Sequence, residues 1–204
     1  MKSDAIAFGI AGIAFGLIAG WIIGTQEAAV RTPAAAPVAA AAPAADTEPR
    51  AALLDETKVN ALKAVAEREA TNPKPRAELA NLYFDAQKFD DAIKWYEAAF
   101  KLNPNDVNVS TDLGVSYYYT NNPDKALEQL DRSLKIDPKH AKTLLNIGIV
   151  KAFAKQDLEG ASKAWQQVIQ LAPDSPEGQA AKRALDTFQS SHPAIAGAAQ
   201  KPGA

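Results

Sequence analysis

The chain has 204 residues and a formal net charge of -2, from 22 basic and 24 acidic side chains. That balance leaves no positive surplus for gripping a polyanion, so no nucleic acid partner is expected. Cysteine is absent and histidine is limited to His140 and His192. Disulfides and thiolate sites are excluded, and metal or acid–base catalysis lacks raw material. No enzymatic activity, cofactor or metal is expected.

From Ala5 to Gly24 the chain reads AIAFGIAGIAFGLIAGWIIG, with no charged side chain. At about 1.5 Å per residue this helix would be about 30 Å long, the thickness of a bilayer core. Residues 1–30 are therefore expected to form an N-terminal transmembrane signal anchor. The alternative is a cleavable signal peptide, for which Ala34-Ala35-Ala36 offers a small-residue site, but one far beyond the apolar run. Lys2 and the terminal amine before the span, against Arg31 after it, favour a cytoplasmic N-terminus and a periplasmic body. Gly12, Gly16, Gly20 and Gly24 recur every four residues along one helix face. A second membrane helix could approach that face closely, so helix–helix association in the membrane is expected.

Residues 31–50, RTPAAAPVAAAAPAADTEPR, carry prolines every four to six residues and no large apolar side chain beyond Val38. Such a segment cannot bury enough surface to offset its ordering entropy and reads as a disordered linker. The tail 191–204 has a similar composition and the same expectation.

Between linker and tail, residues 51–190 form the expected folded domain, and they contain a repeat. Leu79, Leu113 and Ile147 are 34 residues apart, as are Ala80, Gly114 and Gly148. Tyr83 and Tyr117 keep that spacing, as do Ala92 and Ala126, Tyr96 and Leu130, and Pro104 and Pro138. The third copy gains one residue, which shifts Ala161, Trp165 and Pro173 to a spacing of 35. Each unit holds two amphipathic helical stretches, in the second unit about 107–120 and 124–136, separated by Asn121-Asn122-Pro123. The small residue at 80, 114 and 148 would let the two helices of a hairpin approach. No unit can bury its apolar face alone, so the copies must stack.

The pattern resembles the tetratricopeptide repeat, with copies at about 73–106, 107–140 and 141–175. It departs from that family where a tryptophan often opens the motif, since Arg76, Ser110 and Leu144 stand there, and at Lys151, which replaces an aromatic. The extra residue of the third copy is expected to widen its turn. A leading helix within 53–70 and a capping helix over 176–190, opened by Ser175-Pro176-Glu177, would close the two ends of the array. The resemblance implies an all-α helix-hairpin solenoid, three repeats with leading and capping helices, tethered to one transmembrane helix.

The resemblance also implies a concave groove lined by the first helix of each unit. Carried onto this sequence, its walls are Asn81, Phe84 and Asp85 in the first copy and Asn108, Thr111, Val115, Tyr118 and Tyr119 in the second. Lys142, Leu145, Ile149 and Phe153 follow in the third. Some family members clamp a C-terminal carboxylate through a lysine at a position held here by Ala77, Thr111 and Leu145, so no such clamp is expected. The functional expectation is a membrane-tethered scaffold that binds protein or peptide segments in an aromatic-lined groove, in assembly or maturation of an envelope complex. The alternative is a stoichiometric subunit of a membrane complex, docked through the glycine-bearing helix.

Overall fold

The computed structural model describes residues 53–191. The expected span with its four glycines, the linker 31–50 and the tail beyond Ser191 lie outside the described residues. No described helix is long and apolar enough to cross a membrane.

The described residues form eight α-helices and no strand: α1 (Glu56–Arg68), α2 (Lys74–Asp85), α3 (Phe89–Leu102), α4 (Val107–Tyr119), α5 (Pro123–Ile136), α6 (Ala141–Phe153), α7 (Leu158–Leu171) and α8 (Pro176–Ser191). Three hairpins, α2/α3, α4/α5 and α6/α7, stack in chain order, with α1 against α2 and α8 against α7. The leading and capping helices thus stand at the two ends of the array, as the spacing of apolar residues predicts.

Helix starts follow local chemistry. Asp55 Oδ1 accepts from the amide of Lys58 at 3.0 Å, and Asp106 Oδ1 accepts from the amides of Asn108 and Val109 at 3.1 Å each. Asp157 and Ser175 do the same for Gly160 and Gly178, at 2.9 and 3.0 Å. Each satisfies amide donors that the helix itself leaves open. The hairpin turns share another device, one residue with a left-handed backbone: Gln87 (φ 57°), Asn121 (φ 59°) and Gln156 (φ 53°). In the first two turns the amide after this residue returns five positions, Lys88 N to Tyr83 O and Asn122 N to Tyr117 O. In the third, Asp157 N reaches back six positions to Lys151 O. The inserted residue therefore sits between Phe153 and Gln156, and the turn widens there as expected.

The repeat positions form the core. Leu79, Ala80, Ala92 and Tyr96 are buried in the first copy, Leu113, Ala126 and Leu130 in the second, and Ile147, Ala161 and Trp165 in the third. Gly114 and Gly148 lie where a side chain would strike the facing helix. A Cβ on Gly114 would stand 2.9 Å from Leu130 Cγ, and one on Gly148 would overlap the Trp165 indole.

The motif's opening tryptophan is replaced by three different contacts. Arg76 donates from Nη2 to Ala66 O at 2.8 Å and from Nη1 to Asn72 O at 2.9 Å, which caps the end of α1. Ser110 Oγ accepts from Gln129 Nε2 and from Ser133 Oγ, each at 2.8 Å, in a buried polar cluster between α4 and α5. Leu144 is buried. Lys151, in the other departing position, reaches across the widened turn to pair with Asp157 at 3.2 Å.

Candidate functional site: the first-helix face and its aromatic cluster

The first helices of the three hairpins, α2, α4 and α6, carry every residue of the expected groove. Their exposure falls along the array. In α2, Asn81 and Asp85 are exposed and Phe84 is half-buried. In α4, Asn108 is exposed, and Val115, Tyr118 and Tyr119 are half-buried. In α6, Lys142 and Phe153 are half-buried.

Three members of the expected set belong to the interior instead: Thr111 (0 % exposed), Leu145 (1 %) and Ile149 (4 %). The cause is the central place of α6, which packs against α4, α5, α7 and α8 and is buried without a break from Thr143 to Val150. Leu145 also offers its carbonyl to Trp165 Nε1 at 3.2 Å. Thr111 Oγ1 lies 2.7 Å from Thr143 Oγ1 and donates to Val107 O at 2.7 Å, which ties α4 to α6.

His140 joins this knot. It is half-buried at the N-cap of α6 with Nδ1 2.7 Å from Thr143 Oγ1, and burial lowers its pKa below the ordinary histidine value. Lys142 is likewise engaged. Its ammonium pairs with Asp112 of α4 at 2.7 Å, both side chains being largely shielded from solvent. That charge holds two copies together and is not available to steer a ligand.

The aromatic residues converge. Tyr119 stacks on Phe89, centroids 4.4 Å apart and planes within 9°. Phe84 meets both rings edge-on, at 5.3 Å for Phe89 and 5.8 Å for Tyr119, and Tyr118 leans on Tyr119 at 5.8 Å. Phe89 was absent from the expected set because it opens α3, a second helix; its signal is its place three residues before the repeat's Ala92. Burial raises the phenol pKa of Tyr118 and pushes that of Tyr119 up to about 12, so both remain neutral donors at physiological pH. Tyr117, at the repeat position of the buried Tyr83, is half-buried. It donates to Glu97 Oε1 at 2.5 Å, with Lys125 over its ring.

Asn81 is positioned from below. The buried Tyr96 hydroxyl donates to Asn81 Oδ1 at 2.7 Å, which turns the amide nitrogen outward. An exposed amide donor beside half-buried rings can hydrogen-bond a peptide backbone while the rings take apolar area. Among the described residues, no group of acidic or histidine side chains could hold a metal ion.

Residues 80–121 match a model described as TPR repeat, and residues 109–140 match a model described as tetratricopeptide repeat. The third copy lies beyond both matches, although α6 and α7 stack as the earlier hairpins do. Among curated proteins, the chain is similar to Hsp70-Hsp90 organizing protein 3 of Arabidopsis thaliana, 27% identical over 100 residues, which is 49% of this chain and 18% of that protein. It is also similar to BBSome complex member BBS4 of Bos taurus, 31% identical over 100 residues, 49% of this chain and 19% of that protein. The chain thus spans less than a fifth of the length of these relatives.

Among solved structures, residues 41-end of MamA from Desulfovibrio magneticus RS-1 superpose with a TM-score of 0.59 at 20% identity, over 67% of this chain and 75% of that one. The first TPR of Spaghetti (RPAP3), solved bound to the HSP90 peptide SRMEEVD, gives 0.51 at 22% identity, over 68% of this chain and 95% of that one. Residues 80–140 thus match tetratricopeptide-repeat models, and the described helices share the helix-hairpin fold of the solved TPR structure.

Proposed function

We propose that this chain is a membrane-tethered adaptor whose repeat array holds a protein or peptide segment against the first-helix face of its N-terminal half. The observation that carries this reading is the half-buried cluster of Phe84, Tyr118 and Tyr119 beside the outward-turned amide of Asn81. Rigid aromatic rings with little rotamer entropy to lose are the usual anchors of protein interfaces. The peptide-bound neighbour supports peptide capture as a use of this fold. The ligand differs in chemistry from one held by a carboxylate clamp, because the clamp positions here are Ala77 and the buried Thr111 and Leu145.

The tether is the charge-free run from Ala5 to Gly24, with the array on the periplasmic side and assembly of an envelope complex as its setting. A reporter active only outside the cytoplasm, fused after residue 190, is expected to be active, and an inactive fusion overturns the topology.

Binding is tested by photo-crosslinking through a benzophenone amino acid at Asn81 in the full chain, followed by identification of the partner. Replacing Tyr118 or Tyr119 by alanine is then expected to weaken binding of that partner by about 2 kcal/mol each while helicity is retained. Loss of folding rather than of binding would make these rings structural and overturn the adaptor reading. A partner that co-purifies one-to-one through detergent would identify a fixed subunit instead.

A further inference from the structure

Where the second and third copies meet, three polar side chains form a continuous file. Thr111 of α4 and Thr143 of α6 are fully buried, and His140 stands half-buried at the N-cap of α6. Thr111 Oγ1 lies 2.7 Å from Val107 O and 2.7 Å from Thr143 Oγ1, and Thr143 Oγ1 lies 2.7 Å from His140 Nδ1.

Each of these short contacts needs one hydrogen, and each hydroxyl supplies only one. A carbonyl has none to give, so the Thr111 hydrogen points to Val107 O. The contact between the two threonines must then use the Thr143 hydrogen. The last contact is left to the imidazole, which has to donate from Nδ1. His140 is therefore protonated at Nδ1 whether neutral or charged, and the proton it takes up in acid goes to Nε2. That nitrogen makes no hydrogen bond among the described residues, whose one buried side-chain polar atom without a partner is Ser162 Oγ, so Nε2 reaches solvent.

We propose that this file is a one-way hydrogen-bond relay that pins His140 as its Nδ1–H tautomer and makes the joint between the second and third hairpins responsive to protonation at Nε2. The charged groups that act on the imidazole are Asp112 of α4, Asp137 at the C-cap of α5, Lys142 of α6 and Glu177 of α8. Asp112 is already paired with Lys142 at 2.7 Å. Against the other two carboxylates stand burial, the largest influence, and the positive pole at the start of α6. A cation at Nε2 is thus disfavoured in the closed joint, and acid favours the open one. The relay does not depend on what the first-helix face binds.

The test is long-range proton–nitrogen NMR of the full chain in detergent micelles, with isotope-labelled histidine. The chain has two histidines, so His192→Gln assigns the His140 signals. At neutral pH the His140 proton is expected on Nδ1, the reverse of the Nε2–H form that a free side chain prefers, and on acidification the Nε2 resonance should carry the shift. Thr111→Val frees the Thr143 hydrogen to point at Nδ1, so it should flip the tautomer to Nε2–H from the neighbouring helix. Thr111→Ser keeps the hydroxyl and should keep Nδ1–H. Hydrogen exchange at about pH 7.5 and about pH 5.5, either side of the ordinary histidine value, should show a loss of protection in α6 and α8 that is smaller in His140→Gln at the same pH. An Nε2–H tautomer in the parent, an unchanged tautomer in a folded Thr111→Val protein, or an equal loss of protection in parent and His140→Gln would overturn the proposal.

Discussion

Replacing Gly148 by alanine tests the hairpin packing most directly. A Cβ on Gly148 would lie 2.7 Å from Cε2 of Trp165 and closer still to Cδ1 and Nε1. Trp165 is fully buried, stands edge-on to Phe188 of α8 at 5.5 Å, and donates to Leu145 O, so the indole has nowhere to move. Overpacking of this kind costs about 1–3 kcal/mol, and a weakened buried hydrogen bond adds about 1 kcal/mol. Alanine returns about 1 kcal/mol of helix propensity. The expected net loss is therefore about 1–3 kcal/mol. Gly114→Ala is the internal control, because its Cβ meets Leu130, a flexible side chain, at 2.9 Å and the Ala126 carbonyl at 3.2 Å. Leucine can shift where a pinned indole cannot, so Gly114→Ala should lose less. Urea unfolding followed by far-ultraviolet circular dichroism measures both. With a slope of about 2 kcal/mol per M, the Gly148→Ala midpoint should fall by about 1 M. A Gly148→Ala protein as stable as its parent, or an inverted order of the two variants, would refute the close-approach argument.

Other residues yield shorter tests. Arg76→Met keeps the aliphatic stem but removes the donors that cap α1, and should cost about 1.5–3 kcal/mol. Hydrogen exchange should then speed up in α1 before the other helices. Gln156→Gly relieves a left-handed backbone that costs a side-chain-bearing residue about 1 kcal/mol, so its thermal midpoint should rise rather than fall. His140 has a folded pKa lowered chiefly by burial, opposed by Asp137, Asp112 and Glu177. A group lowered in this way contributes stability above its unfolded pKa, and that contribution is lost as pH falls through the folded value. Stability should therefore decline below the ordinary histidine range of about 6.5, and His140→Gln should flatten that slope in denaturation measured across pH.

Much of the architecture was legible in the chain because a repeat states its packing rule several times. The recurrence of Leu79, Leu113 and Ile147, and of the small residues 80, 114 and 148, marks hairpins that must stack, and the extra residue of the third copy marks the turn that widens. These are consequences of local periodicity, and local periodicity is written in sequence order.

The site was legible only as a set of positions on three helices. Which of those positions reach solvent depends on what else surrounds each helix. Ile149 holds the register of exposed Asn81, and Thr111 and Leu145 that of half-buried Ala77, yet all three are buried, because α6 is enclosed by four helices, α4 among them, while α2 is not. Lys142 carried a charge that the sequence left open to a ligand, and only the approach of α4 to α6 commits it to Asp112. Phe89 joined the aromatic cluster from a helix the repeat pattern assigns to the other layer. Burial, pairing and ring stacking are properties of neighbours distant in the chain, so only the tertiary fold decides them.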